Sequence, residues 1–120
     1  MISEAQAAQF ARDWIEAWNT RDLARILSHY TEDFEMTSPL ITMFLGDPTG
    51  TMKGKANVRP YWEQALAMLS ELRFELLDVL VGVGSIALYY RSVFGKKAVE
   101  VFFFNDEGKV TRAIAHYDKL

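Results

Sequence analysis

One carboxylate stands out by its surroundings. Glu100 lies in Ala98-Val99-Glu100-Val101-Phe102-Phe103-Phe104, where every neighbour is apolar. Alternation along a strand puts Glu100, Phe102 and Phe104 on one face, and so apolar a face belongs inside. A carboxylate there loses its water, which disfavours the charged form and lifts the pKa towards neutrality. Such a group suits proton transfer near a carbonyl at physiological pH. The same residue also has a structural reading as half of an ion pair. A two-residue connection at Gly95-Lys96 sets Arg91 opposite Glu100, whereas a three-residue connection sets Ser92 there, so strand register separates the two readings.

The other titratable candidates are few. His29, beside Tyr30, reads as a surface residue of a helix, and Glu32 and Asp33 read as exposed turn residues. His116, in Ala115-His116-Tyr117-Asp118, has a side chain that titrates near neutrality and is the second acid/base candidate. No histidines and carboxylates share a metal-ligand spacing, so no metal is expected. The absence of cysteine removes disulfides, thiol nucleophiles and cysteine-ligated metals. Gly82-Val83-Gly84 joins two strands and opens no helix, so it is not a phosphate-cradling loop, and no cofactor is expected.

These residues sit in a chain of 120, of which 50% are hydrophobic and 24% charged. That length predicts one domain over residues 1–120. A net charge of −3 without a Lys/Arg cluster argues against nucleic-acid binding, which draws most of its affinity from phosphate neutralisation. The N-terminal stretch lacks the basic and apolar regions of a signal peptide, and no apolar run reaches the ~18 residues of a membrane span. The expectation is a soluble, cytoplasmic domain with no membrane partner. Three Trp, five Tyr and eight Phe are ample for its core.

The elements that must position Glu100 follow from periodicity. Ser3-Glu4-Ala5-Gln6 has the form of a capping box, and Phe10, Trp14, Ile15 and Trp18 follow at helical spacing. Asn19-Thr20-Arg21-Asp22 breaks this helix and starts a second, with Leu23, Ile26, Leu27 and Tyr30 on its apolar side. Phe34, Met36 and Ser38 alternate with polar residues as a short strand. Residues Pro39–Lys53 show no period and read as a long apolar connection containing an Asp47-Pro48-Thr49-Gly50 turn, of the kind that serves as a lid or binding loop. A third helix carries Val58, Tyr61, Trp62, Ala65, Leu66 and Leu69, with its cap placed near Asn57 so that Pro60 falls in the first turns. Strands are then expected over Leu72–Val81, Ser85–Phe94, Ala98–Asn105 and Lys109–Tyr117, punctuated by hairpin-type turns. Helices followed by an antiparallel meander make an α+β domain.

The order of these elements resembles the nuclear transport factor 2-like superfamily, and within it the SnoaL-like proteins and ketosteroid isomerases. Three stretches carry the resemblance: Trp14–Leu23 running on to Tyr30-Thr31-Glu32-Asp33, then Gly54–Arg59, then Val99–Phe102 continuing through Asn105–Val110 to Tyr117-Asp118. The resemblance implies a cone-shaped, barrel-like fold, three N-terminal helices packed on a curved and mostly antiparallel sheet. It also implies a largely apolar pocket lined by Trp14, Trp18, Tyr30, Trp62, Phe102 and Tyr117, with Ser38 at the floor and Glu100 as its carboxylate. Without the resemblance, the same aromatics read as plain core. In the isomerases the residue resembling Glu100 donates to an oxyanion, and in the cyclases it acts as acid/base.

Other positions depart from the isomerase pattern. Ser38 stands where the isomerases carry their base, and Trp14 and Trp62 stand where they carry tyrosines, with only Tyr30 retained. An indole donates one hydrogen bond but is no phenolic acid, which argues against steroid isomerisation. The resemblance places Ala113, Ala115 and Tyr117 on the concave face and His116 outside, unless a bulge in the preceding hairpin reverses the parity.

Two functions fit. One is an acid/base catalyst using Glu100 in isomerisation, aldol cyclisation or dehydration of a small, largely apolar, oxygenated molecule. The other is a non-catalytic ligand-binding or interaction domain of the same fold. The resemblance further implies a homodimer through the outer sheet face, where Val99, Val101 and Phe103 lie.

Overall fold

A computed structural model describes all residues, Met1–Leu120. The chain runs α1 (Glu4–Asn19), α2 (Leu23–Leu27), β1 (Tyr30–Thr37), α3 (Pro39–Leu45), β2 (Thr51–Lys53), α4 (Lys55–Met68), β3 (Glu75–Val81), β4 (Ser85–Arg91), β5 (Lys97–Phe104) and β6 (Val110–Tyr117). The six strands form one sheet in the order β2-β1-β6-β5-β4-β3. Only the β1–β6 pair is parallel; the other pairs are antiparallel. The α+β architecture is as expected, but with four helices where the sequence suggested three.

α1 begins at the capping box: Gln6 N donates to Ser3 Oγ at 3.0 Å, and Ser3 N donates back to Gln6 Oε1 at 2.9 Å. Ala7, Ala11, Trp14 and Trp18 recur at helical spacing and are buried against the sheet. The two alanines let the backbone approach closely, and the two indoles then fill the space further along. Asn19 pins the chain before β3 through two bonds to Phe74, Nδ2 to the carbonyl at 2.9 Å and Phe74 N to Oδ1 at 2.7 Å. Phe74 is thereby held stacked on Trp14, with ring centroids 5.5 Å apart. Arg21, between α1 and α2, donates to the Leu66 and Leu69 carbonyls and so ties that turn to the end of α4.

Three local expectations are corrected. The second helix stops at Leu27, and Tyr30 opens β1 instead of completing a helical face. The stretch 39–53 is not structureless. Ser38 caps a seven-residue helix, accepting from Leu40 N at 3.1 Å, with Pro39 in its first turn and left-handed Gly46 ending it. Gly50, at φ +61°, then passes so close to α3 that an added Cβ would lie 2.9 Å from Thr42 Oγ1. Its carbonyl accepts from Ser38 N at 2.8 Å, which closes the segment on itself before β2 pairs with β1. Finally, α4 starts at Lys55 and not near Asn57, with Gly54 as its cap residue. Pro60 therefore sits in the second turn, where the Ala56 carbonyl loses its intrahelical donor on the solvent side.

The sheet alternates cleanly where it faces the helices. Ile86, Leu88 and Tyr90 of β4 and Ala98, Glu100 and Phe102 of β5 point inward and are buried. A register shift beside Phe103 and Phe104 in the β5–β6 hairpin takes up Thr111, so that Val110, Ala113 and Ala115 all face the core. With that parity His116 lies exposed on the outer face, its Nδ1 3.2 Å from the Val99 carbonyl oxygen.

Candidate functional site

Register decides the environment of Glu100. β4 and β5 are joined by five residues, Ser92–Lys96, a tight turn in which Phe94 has φ +57° and Ser92 N donates to Lys96 O at 2.6 Å. This pairs Arg91 with Lys97, and Glu100 with Leu88 on one side and Ala115 on the other. Neither Arg91 nor Ser92 stands opposite the carboxylate, as either of the shorter connections would require. Arg91 points outward, where its Nε lies 3.5 Å from Glu75 Oε1. The Glu100–Arg91 ion pair does not form.

Glu100 is 2% exposed. Its one side-chain partner is Tyr90, two residues along β4 from the facing Leu88, whose hydroxyl donates to Oε1 at 2.9 Å. Burial pushes the Glu100 pKa up to about 7, against the smaller lowering effect of the Tyr90 hydrogen bond. Tyr90 is in turn held far above the ordinary phenol range, by burial first and by the Glu100 charge second. Burial thus favours the neutral form of both groups, with the phenol as donor to the carboxyl.

The carboxylate lines a small cavity of about 70 Å³ beneath α3 and α4. Of 17 wall residues 14 are hydrophobic, and none is Lys, Arg or His. Trp14, Trp18, Ser38, Trp62 and Tyr117 stand in this wall with Glu100. Tyr30 and Phe102, grouped with them in the sequence, do not reach it. They are buried behind the wall, where Tyr30 Oη accepts from Trp14 Nε1 at 2.9 Å and the Phe102 ring packs 5.2 Å from Trp14. Burial, with the Glu100 charge adding to it, keeps the Tyr30 phenol protonated. His29 is half-buried against Phe10, its Nδ1 3.1 Å from the Ile26 carbonyl oxygen, and is not part of the wall; burial lowers its pKa.

Other wall groups were not singled out in the sequence. Tyr90 was legible in part, since Ile86, Leu88 and Tyr90 share a period of two, but its meeting with Glu100 depends on the register. Phe74, Ser92 and Tyr61 also contribute. Burial pushes the Tyr61 pKa up to about 12. Tyr117 rises further, by burial and the Glu100 charge, tempered by the Ser38 and Ser92 hydroxyls beside it. The Trp18 indole N–H is buried without an acceptor. The site thus holds one carboxyl with a raised pKa, several hydroxyls and an otherwise apolar wall of aromatic and aliphatic side chains. No cluster of His, Cys, Asp or Glu suits a metal ion, and no helix is long and apolar enough to cross a membrane.

The family model of the SnoaL-like domain matches residues 11–118. The chain belongs to the SnoaL-like domain family. This SnoaL-like chain is similar to a SnoaL-like protein of unknown function from Burkholderia thailandensis, with 48% identity, 97% of each chain covered and a TM-score of 0.94. It shares its fold with an NTF2-like protein of unknown function from Burkholderia pseudomallei, at 23% identity, 93% and 90% coverage and a TM-score of 0.73. It also shares its fold with SalBIII, an epoxide hydrolase/cyclase-like enzyme in pyran ring formation in the polyether salinomycin, at 18% identity, 99% and 95% coverage and a TM-score of 0.76. Among curated proteins no match is found.

Proposed function

We propose that this SnoaL-like chain binds a small, largely apolar, oxygenated molecule in the aromatic cavity and exchanges a proton with it through Glu100. Isomerisation, aldol cyclisation and dehydration all need such a transfer beside a carbonyl. The observation that carries the proposal is the lone buried carboxylate, bonded only to a neutral phenol in a wall without cations. A carboxyl with a pKa of about 7 is divided between acid and base at physiological pH, which is where general catalysis by a single group is most effective. As an acid it donates to the ligand's carbonyl oxygen; as a base it takes the proton from the adjacent carbon. Tyr90 positions it in both states. Ser38 and Tyr117, whose hydroxyls lie beside one another in the wall, would supply further hydrogen bonds to a ligand oxygen.

The test is to compare the wild type with Glu100→Gln in a panel of enolisable ketones and β-hydroxy ketones, following α-proton exchange with solvent deuterium by NMR. Exchange that falls at least a hundredfold in the variant supports the proposal. Equal exchange in both proteins removes Glu100 from the chemistry.

One observation favours the second reading, ligand binding without turnover: no second carboxylate, histidine or lysine shares the wall with Glu100. Under that reading Glu100→Gln changes affinity alone. A homodimer through the outer sheet face belongs to both readings, because Val99, Val101 and Phe103 point away from the core and leave a continuous apolar strip on β5. Light scattering at micromolar concentration that returns a monomer contradicts it.

A further inference from the structure

The cavity at Glu100 is too small for most of what could enter it. Its volume of about 70 Å³ falls well short of the ~300–1,000 Å³ of pockets that enclose a whole drug-sized ligand. A second hollow, of about 270 Å³, abuts it on the outside, between α3, α4 and the β4–β5 turn. The two share Phe44, Tyr61, Ala65 and Leu69 as a common wall. Seven of the eight residues around the outer hollow are hydrophobic, and none is charged.

Its rim is built in a way that folding alone does not explain. Met68 is 71% exposed and Phe94 67% exposed, and Phe44 and Leu45 are also exposed. Phe94 holds a left-handed conformation, φ +57° and ψ +27°, followed by left-handed Gly95. A bulky residue is rarely found there, and the usual solution for such a turn is glycine. The chain therefore accepts a strained backbone in order to present a benzyl group to water at the mouth of its apolar cavity.

We infer that the two hollows are one binding site in two compartments, taking an elongated, uncharged molecule whose oxygenated head enters beside Glu100 and whose apolar tail lies in the groove under Phe44, Met68 and Phe94. This rests on the reading of Glu100 given above. The head is a neutral oxygen acceptor. Hydroxyls of Ser38, Ser92 and Tyr117 stand in the inner wall, whereas an anionic head would meet Glu100 with no cation to offset it. The tail is flexible or flat, since it must turn past Tyr61 and Ala65 at the common wall.

The test uses 2-hexanone, 2-decanone and decanoate as probes at pH 8, with binding followed by tryptophan fluorescence, since Trp14, Trp18 and Trp62 all line the inner cavity. Variants are Met68→Ser and Phe94→Gly, which change exposed side chains and leave the wall around Glu100 intact, together with Glu100→Gln. The wild type is expected to gain about twofold or more in affinity per added methylene, somewhat under the value for full burial. Met68→Ser and Phe94→Gly should each weaken 2-decanone at least fivefold and leave 2-hexanone within twofold. Decanoate should bind at least tenfold more weakly than 2-decanone.

A short ketone whose binding responds to Glu100→Gln, joined to a long one that binds no tighter, overturns the two-compartment inference and leaves the reading of Glu100 standing. Length-dependent binding that the groove variants weaken but Glu100→Gln does not touch supports the groove and removes the carboxylate. Decanoate binding as tightly as 2-decanone overturns the neutral head. Absence of binding by any ketone overturns the inference as a whole.

Discussion

Two hydrogen bonds of the same length, 2.9 Å, lie side by side in the aromatic core, and they do different things. Trp14 Nε1 donates to Tyr30 Oη in a neutral, buried pair whose phenol lies behind the cavity wall. Tyr90 Oη donates to Glu100 Oε1 in a pair that includes an ionisable group and opens on the cavity. The first satisfies two polar atoms that the large aromatic side chains bring inside with them. The second places a carboxyl where hydrophobic residues of similar volume would pack without any desolvation cost. A core can keep a neutral pair for specificity alone; the lone carboxyl, pushed by burial to a pKa of about 7, is the group on which the proposed ligand binding rests.

The comparison can be broken most forcefully at its shared scaffold. Trp14 touches both pairs, packing on Phe74, Tyr90 and Phe102 while bonding to Tyr30. Trp14→Ala should destabilise the fold by about 3–5 kcal/mol in urea denaturation. A loss under 1 kcal/mol would mean that the core does not rest on this indole.

The next effect depends on pH. The folded pKa of Glu100 lies above its value in the unfolded chain, so the native state binds the extra proton between about 4.5 and about 7. Stability therefore falls as pH rises through that window, and the penalty is complete above it. Glu100→Gln, which still accepts from Tyr90, should remove the penalty. At pH 8 it is expected to be more stable than the wild type by roughly 2–4 kcal/mol, the gap closing towards pH 4. A variant equally destabilised at all pH values contradicts this.

The phenols sharpen the contrast further. Tyr30→Phe leaves the Trp14 N–H unpaired and should cost about 1–3 kcal/mol independently of pH. Tyr90→Phe should cost a similar amount, but more at pH 8 than at pH 5, because it strips the ionised carboxyl of its only donor. Smallest of all, Arg91→Ala should change stability by about 0–1 kcal/mol and leave the Glu100 titration where it is, since the Arg91–Glu75 pair is exposed and on the opposite face.

Much of this was legible in the residues. The four C-terminal strands, β3 to β6, are rich in β-branched and aromatic side chains, and the inward set Ala98, Glu100, Phe102 follows from alternation alone. α3 was not legible, although Ser38-Pro39 and Gly46 mark its ends. Apart from Thr42 its residues are apolar, so they show no amphipathic period. β2 is three residues long and exists only because β1 offers an edge. The β4–β5 register was hidden because Phe94 occupies a left-handed position that sequence patterns assign to glycine. That one turn separated an ion-paired Glu100 from one bonded to Tyr90, so the site's chemistry hung on its least typical residue. Tyr30 and Phe102 show the remaining gap: periodicity puts them inside, but only the packing of Trp14 decides which side of the wall they occupy.

The central claim is that Glu100 is a proton-exchanging carboxyl in an apolar wall. It is tested most directly by 13C NMR of the glutamate side-chain carboxyls over pH 4–9, with Glu100→Gln assigning the resonance. The account predicts a midpoint of about 7 for Glu100, moving higher in Tyr90→Phe. A midpoint in the ordinary carboxylate range near ~4.3, unchanged by Tyr90→Phe, would contradict it.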